Sequence, residues 1–236
     1  ETIKLTKKEV LVGEKGSAGE LIVSMLPYLI VMWAFYGGMS TASDLVAGEK
    51  DKATLETLLI TPVRRTQIVL GKFVALATIC LISSFSTLAG LALVAIVKPP
   101  GAAELLKNGG GVTALAAVQI IALMLPTVCL FASSLIAVSS FAKNPREAQT
   151  YMTSLSFVVV LPGLFSQFIG LTDYGTKMWV NLIPILNTAN NIRNALLGKG
   201  ELLPMVLTIL ESAALAAIAI AWSVKMFNRE EVLVRV

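Results

Sequence analysis

The sequence predicts an all-α fold, a bundle of helices that crosses a membrane several times. Of its 236 residues, 56% are hydrophobic and 14% are charged, whereas about a quarter of the residues in a soluble domain are charged. The mean hydropathy is +0.78. Long stretches without charge recur along the chain. A chain with so few polar residues cannot cover a water-facing surface, so its surroundings must be largely apolar.

Five stretches have the composition of a membrane span, which needs about 20 mostly apolar residues. The third is long enough to require tilt or a start outside the bilayer. Three of them contain an internal proline, and neighbouring helices can satisfy the backbone groups that such a kink frees. The spans are predicted at about 21–43, 73–97, 112–142, 148–172 and 202–224.

The composition excludes several chemistries. The chain has no histidine, which removes Ser-His-Asp hydrolysis, histidine-ligated zinc and histidine-ligated haem. Cys80 and Cys129 lie inside apolar runs and are read as core residues, not as a disulfide. Neither Gly71-Lys72 nor Gly198-Lys199 belongs to a GxxxxGK[ST] phosphate loop, so nucleotide chemistry is not expected here.

The distribution of lysine and arginine predicts the orientation. Segments 44–72, 142–147 and 225–236 carry ten basic residues in 47 positions, and loops 98–111 and 173–203 carry five in 45. The positive-inside rule therefore places the first group, with the tail 228–236, in the cytoplasm, although the lysines before residue 20 run against it. Residues 1–20 then end an extracytoplasmic segment, and we expect one further helix and an extracytoplasmic region upstream.

The segment from Gly48 to Pro62 predicts a short amphipathic helix, at about 49–60, on the cytoplasmic face. Leu55, Leu58 and Leu59 have the spacing of one helix face, and charged residues occupy the other side. The acidic residues come early, where the helix dipole favours them. From the spacing alone, this helix either lies passively in the membrane interface or docks onto a protein.

Four pieces of this region carry a family resemblance. They are Asp44-Leu-Val-Ala-Gly-Glu-Lys50, Thr54-Leu-Glu-Thr-Leu-Leu59, Thr61-Pro-Val-Arg-Arg65 and Gly71-Lys72. Together they resemble the signature of ABC type-2 transporter permeases, above all the NatB-like, sodium-exporting branch. Over residues 44–72 the resemblance is specific, and elsewhere it rests on the order of the spans.

The resemblance implies a six-helix permease with an extracytoplasmic insert after its first helix, located in the cell membrane. It also implies a separate ATPase subunit that carries ATP and magnesium, and a second permease, identical or different. No cofactor, catalysis or nucleic-acid partner is expected for this chain. The resemblance identifies the amphipathic helix as the coupling helix that docks onto the ATPase. The expected coupling residues are Glu49, Thr54, Leu55, Glu56, Leu58 and Leu59.

A second unusual segment, at about 179–198, is apolar, broken by Pro184 and too short to span the membrane twice. It predicts a re-entrant helix pair on the outer side, because backbone at membrane depth must be buried in protein or face water. It is similar to short extracytoplasmic helices of the same family. It forms either an outer gate, with Pro184, Asn187, Asn191 and Arg193, or a cap over the bundle.

Glu211 is the carboxylate that lies well inside an apolar run. A charge at that depth costs at least about 2.5–3.5 kcal/mol on insertion scales, so it usually faces a partner or a cavity. It can bind a cation, relay a proton, pair with Arg193 or make a structural hydrogen bond. Asparagine, threonine and carboxylate oxygens suit a hard cation such as sodium.

The sequence thus favours the permease of an ATP-driven exporter that moves substrate, with sodium as the first candidate, out of the cytoplasm. Export of a lipid, a peptide or a drug fits the same architecture. A channel or membrane scaffold without ATP coupling belongs to another class. An intramembrane protease is disfavoured because histidine is absent and every lysine lies outside a span or at its end.

Overall fold

The computed structural model describes residues 18–52, 54, 62, 64–97, 114–170, 180 and 182–227. Its helices are α1 (Ala18–Ala42), a π-helix (Ser43–Ala47), α2 (Gly48–Asp51), α3 (Arg65–Val97), α4 (Ala114–Phe141), α5 (Pro145–Gly170), α6 (Leu186–Leu196) and α7 (Leu202–Phe227). Five helical segments are long and apolar enough to cross a membrane. These segments confirm the predicted all-α bundle with five spans.

The first span does not end where the sequence suggested, at residue 43. The chain stays helical through Asp51, because a π-helix widens the turn without ending the helix. The Gly48 N–H bonds to the Ser43 carbonyl, five residues back, in the pattern of a π turn. The start of the predicted helix at 49–60 therefore continues the first span. Its residues Leu55, Glu56, Leu58 and Leu59 lie outside the described residues.

Helices α1 and α4 form the centre of the bundle. The rings of Phe35 and Phe131 meet edge to face, with centroids 5.4 Å apart, and both side chains are buried. Fully buried Ile30 and Leu135 belong to the same core. Burying side chains of this size contributes about 1.5–3 kcal/mol each.

Helix α3 approaches α1 closely because small residues line the contact. A Cβ on Gly38 would lie 2.4 Å from the sulfur of Cys80, so only glycine fits there. Next to it, the Ser83 hydroxyl donates a hydrogen bond of 2.8 Å to the Trp33 carbonyl. Cys80 is buried and, like the half-buried Cys129, a free thiol, as the sequence predicted.

The short helix α6 lies inside the bundle, against α1, α4, α5 and α7. It follows the end of α5 and precedes α7, yet Thr188 reaches Thr127 near the middle of α4. Its entry is strained, since Ile185 has φ 72°, a conformation that a β-branched residue rarely adopts. Helix α6 thus brings polar side chains into a region otherwise filled by apolar spans.

Two polar sites at opposite ends of the bundle

The first site lies at the end of the bundle where α1 stops and α3 begins. The Lys72 ammonium, on α3, pairs with the Glu49 carboxylate at 2.6 Å, and the two side chains are 7% and 31% exposed. The same ammonium donates a hydrogen bond to the Leu45 carbonyl, which belongs to the π-helix. We call Leu45, Glu49 and Lys72 the basal clamp, because they join the end of the first span to α3.

The energetics of the basal clamp follow from its burial. A lysine that is almost removed from water keeps its charge only when it is paired and hydrogen-bonded. Deleting one partner of a buried ion pair typically costs about 3–5 kcal/mol, because the other charge is left without compensation. Because Lys72 is 7% exposed but Glu49 is 31% exposed, the clamp lies between this limit and a surface ion pair, which contributes about 0–1 kcal/mol.

Two further basic residues hold helix ends at the same level. The Lys50 ammonium donates to the carbonyls of Ser140 and Ala142, at 2.6 and 3.3 Å. The Arg65 guanidinium donates to the Phe227 carbonyl at 3.2 Å. The last carbonyls of a helix have no partner within it and carry the negative end of its dipole. Cations thus satisfy the C-terminal ends of α4 and α7.

A hydroxyl completes this end of the bundle. The Ser139 side chain, near the end of α4, donates a 2.8 Å hydrogen bond to the carbonyl of Ala42, the last residue of α1. Since the chain widens into the π-helix directly afterwards, this bond fixes α1 just before its irregular turn. The polar contacts of residues 42–72 therefore connect the first span to α3 and α4, and α3 to α7.

Of the predicted coupling residues, Glu49 and Thr54 lie within the described residues. The carboxylate of Glu49 is turned to Lys72 inside the same chain. Thr54 is exposed, and its hydroxyl donates to the Glu49 carbonyl at 3.3 Å. Lys72 is part of the family motif in the sequence, but no role could be predicted for it. It lies 23 residues from Glu49, and a contact between residues so far apart leaves no periodic pattern in the sequence.

The second site lies on α6 and α7, toward the other end of the bundle. Asn191 is the hub: its amide nitrogen contacts the Asn187 side-chain oxygen at 2.5 Å and the Thr208 hydroxyl at 2.8 Å. The Asn187 amide donates to the Glu211 carboxylate at 3.3 Å. Thr188, the residue after Asn187, contacts Thr127 of α4, with hydroxyl oxygens 3.4 Å apart. We call these six residues the outer polar cluster, because three of them belong to the segment that the sequence predicts on the outer side.

Burial divides the members of this cluster. Asn187 is 0% exposed and Asn191 is 4% exposed, while Glu211 is half-buried. The contact of the Glu211 carboxylate is with Asn187, a structural hydrogen bond of the kind that the sequence left open beside a cation, a proton relay and a pairing with Arg193. Arg193 and Pro184 are also half-buried. Thr208 was not predicted as a site residue. It lies three residues before Glu211 in an apolar helix, so the two side chains share one face, and this spacing could have identified it.

The ligand chemistry of the outer polar cluster is limited. It offers one carboxylate and several neutral amide and hydroxyl oxygens, which suit a hard cation and not a soft metal. Within the described part of the chain, no group of three or more His, Cys, Asp or Glu side chains could hold a metal ion. In this state the Asn187 oxygen is taken by Asn191, so a cation would have to replace that hydrogen bond.

Comparison with known proteins agrees with the resemblance read from residues 44–72. Residues 3–232 match the family described as "ABC-2 family transporter protein". Over 208 residues the chain is 28% identical to the ABC transporter permease protein NatB of Bacillus subtilis (strain 168). The match covers 88% of this chain and 52% of that relative, so the chain spans about half the length of the curated relative it matches.

Proposed function

Since the chain belongs to the ABC-2 family of transporter proteins, we propose that it is the membrane-spanning permease of an ATP-driven exporter. A separate ATPase subunit hydrolyses ATP, and a second permease, identical or different, completes the transporter. The chain sits in the cell membrane as a multi-pass protein with its carboxyl end in the cytoplasm. The observation that carries this proposal is the family match over residues 3–232, together with five candidate spans.

The contacts at the basal end support the expected orientation. Lys50, Arg65 and Lys72 all lie there, on the side to which the excess of basic loop residues belongs. The positive-inside rule assigns that side to the cytoplasm. Residues 49–52, the described start of the segment 49–60, lie at this same end, where a cytoplasmic ATPase would meet the segment.

An exposed face of α7 supports a further membrane partner. Ala213, Ala217 and Ala221 recur every four residues, and all three are exposed. Small residues at this spacing let two helices approach closely within a membrane. We assign this face to helix packing within the assembled transporter.

Sodium is the substrate that we propose first. In the outer polar cluster the Glu211 carboxylate accepts from the Asn187 amide nitrogen, and the side-chain oxygens of Asn187 and Thr208 accept from Asn191. The cluster therefore contains a carboxylate and neutral oxygens, which are the ligands that a hard cation prefers. Export of a lipid, a peptide or a drug is the alternative within the same family. A channel without ATP coupling is the alternative of another class.

The test is reconstitution of the full-length permease with its ATPase in inside-out vesicles. ATP-dependent accumulation of radioactive sodium is the expected result. If an ATPase copurifies and hydrolyses ATP but no sodium moves, the substrate assignment is wrong and the exporter proposal stands. If no ATPase binds the wild-type permease, the channel or scaffold alternative replaces it.

A further inference from the structure

We propose that the ion pair between Glu49 and Lys72 is the joint through which movement of the segment 49–60, which docks onto the ATPase and is called the docking segment below, reaches α3 inside the bundle. This inference rests on the proposed function of the chain as an ATP-coupled permease. It gives Glu49 a role different from the one expected from the sequence. Glu49 acts as a positioning residue inside the permease, and not as a contact for the ATPase.

The side chains of Glu49 and Lys72 are already engaged with each other. The Glu49 carboxylate lies 2.6 Å from the Lys72 ammonium, and Lys72 is 7% exposed. A second protein could take the carboxylate oxygen that meets this almost buried cation only by breaking the pair. The glutamate belongs to α2, at the start of the docking segment, and the lysine belongs to α3, a membrane span.

The ion pair also braces the irregular part of the first span. Residues Ser43–Ala47 form a π-helix, a geometry that occurs mostly as single turns and often at functional sites. Lys72 bonds to the Leu45 carbonyl inside this turn and to Glu49 beyond it. One side chain of α3 therefore bridges the point where α1 would most easily bend.

A pull on the docking segment reaches the start of α3 along the chain itself, which enters that helix at Arg65, and it has two further routes into α1 and α3. One runs along the backbone of α1 and through the π-helix, which a change of hydrogen-bond register can absorb. The other passes from Glu49 to Lys72 and directly into α3. The neighbouring Lys50 does not supply this second route, since its ammonium binds backbone carbonyls of α4. Without the ion pair, we expect ATP hydrolysis to continue while the spans respond less.

The experiment uses the full-length permease assembled with its ATPase in vesicles. The variants are Glu49→Gln, Lys72→Met, both together, and Lys72→Arg, which keeps the charge and the donors. We measure three quantities: ATPase bound per permease, the rate of ATP hydrolysis, and the ATP-dependent change in maleimide labelling of a cysteine at Ser154, an exposed position on α5.

The expected result separates coupling from assembly. Glu49→Gln and Lys72→Met retain the ATPase and its hydrolysis, while the ATP-dependent change in labelling falls about tenfold, within the usual range for energetic coupling between sites. The double variant is no worse than either single one, because both remove the same pair. Lys72→Arg restores most of the change. The matched controls Lys225→Met and Glu201→Gln, at exposed positions, retain the wild-type response.

Two results would overturn the joint while leaving the exporter intact. In the first, Glu49→Gln keeps the full labelling response. In the second, Glu49→Gln releases the ATPase, which would place Glu49 in the partner contact after all. If the wild-type complex binds and hydrolyses ATP without any labelling change, the bundle does not follow the ATPase, and the proposed ATP-coupled function fails together with the joint.

Discussion

Asn187 and Glu211 lie on different helices, and the amide of Asn187 donates a 3.3 Å hydrogen bond to the carboxylate of Glu211. Asn187 is completely buried in α6, whereas Glu211 lies about 14 Å into α7 at the rise of an α-helix. The bond therefore ties a short internal helix to the last span. It joins the two features that the sequence singled out separately, the re-entrant segment and the carboxylate.

Replacing this carboxylate by an amide tests its charge. Glu211→Gln keeps an oxygen that can accept from Asn187, so the fold and the ATPase contact should survive. If Glu211 binds a cation or relays a proton, we expect sodium transport to fall at least about tenfold, the loss of roughly 1.4 kcal/mol. The measurement is ATP-driven sodium uptake over a range of sodium concentration and pH. If the variant takes up sodium as well as Glu201→Gln does at every sodium concentration and pH, Glu211 has only a structural role.

Asn191 should be important for stability. Its amide nitrogen serves the side-chain oxygen of Asn187 and the hydroxyl of Thr208, and its side chain is 4% exposed. Asn191→Ala removes both of these buried hydrogen bonds, each of which contributes about 0.5–1.5 kcal/mol. Thermal unfolding of the purified permease in detergent should show a lower Tm. The half-buried Asn194 provides the control, and an equal Tm for Asn191→Ala and Asn194→Ala would contradict the assigned role.

The contact of α1 with α3 predicts a pair of compensating substitutions. A Cβ at position 38 would stand 2.4 Å from the Cys80 sulfur, so Gly38→Ala should destabilise the bundle by about 1–3 kcal/mol through overpacking. Cys80→Ala in the same chain removes the sulfur and should recover most of that loss. Gly90→Ala is the control, because nothing lies within 4 Å of its added carbon. Failure of the double variant to recover thermal stability would mean that Cys80 is not the limiting neighbour.

The sequence predicts the number of long apolar helices, because hydropathy is a local property, although α3 begins at Arg65, eight residues before the expected 73. Helix α4 begins and ends within two residues of the expected 112–142, since hydropathy is read directly from the chain. The end of the first span differs, because a π-helix leaves no mark in composition. The pairs that build the two sites, Glu49 with Lys72 and Asn187 with Glu211, are separated by 23 and 24 residues. Contacts of this kind are set by helix packing and have no period in the sequence.

The orientation of the chain can be tested with single cysteines. A cysteine at Asp51 or Glu230 should react with a membrane-impermeant maleimide only from the cytoplasm, because both positions lie in the segments rich in lysine and arginine. A cysteine at Lys107 should react only from outside. Cys80 and Cys129 must first be replaced by alanine so that each variant has one thiol. Labelling of positions 51 and 107 from the same side would reject the topology.

Whether the segment 49–60 docks onto the ATPase can be tested at the charged residues beside its leucine face. An interfacial helix and a docking helix both require Leu58, so the leucine does not distinguish them. Glu56 does, since a helix lying on anionic lipid gains little from a carboxylate, whereas a protein cleft can pair it with a basic or amide donor. Truncating one partner of a desolvated pair costs about 2–5 kcal/mol.

We therefore expect Glu56→Lys to weaken ATPase association or to uncouple hydrolysis from transport, while the permease stays folded in the membrane. Leu58→Asp should weaken association as well, by removing an apolar contact. Copurification of the ATPase and ATP hydrolysis by each complex provide the measurement. Glu201→Lys, a charge reversal at an exposed residue before α7, should leave both unchanged, because that residue lies at the opposite end of the bundle. If Glu56→Lys retains the ATPase and coupled transport in full, Glu56 does not contact the ATPase. The segment would then be a helix that lies passively at the membrane surface.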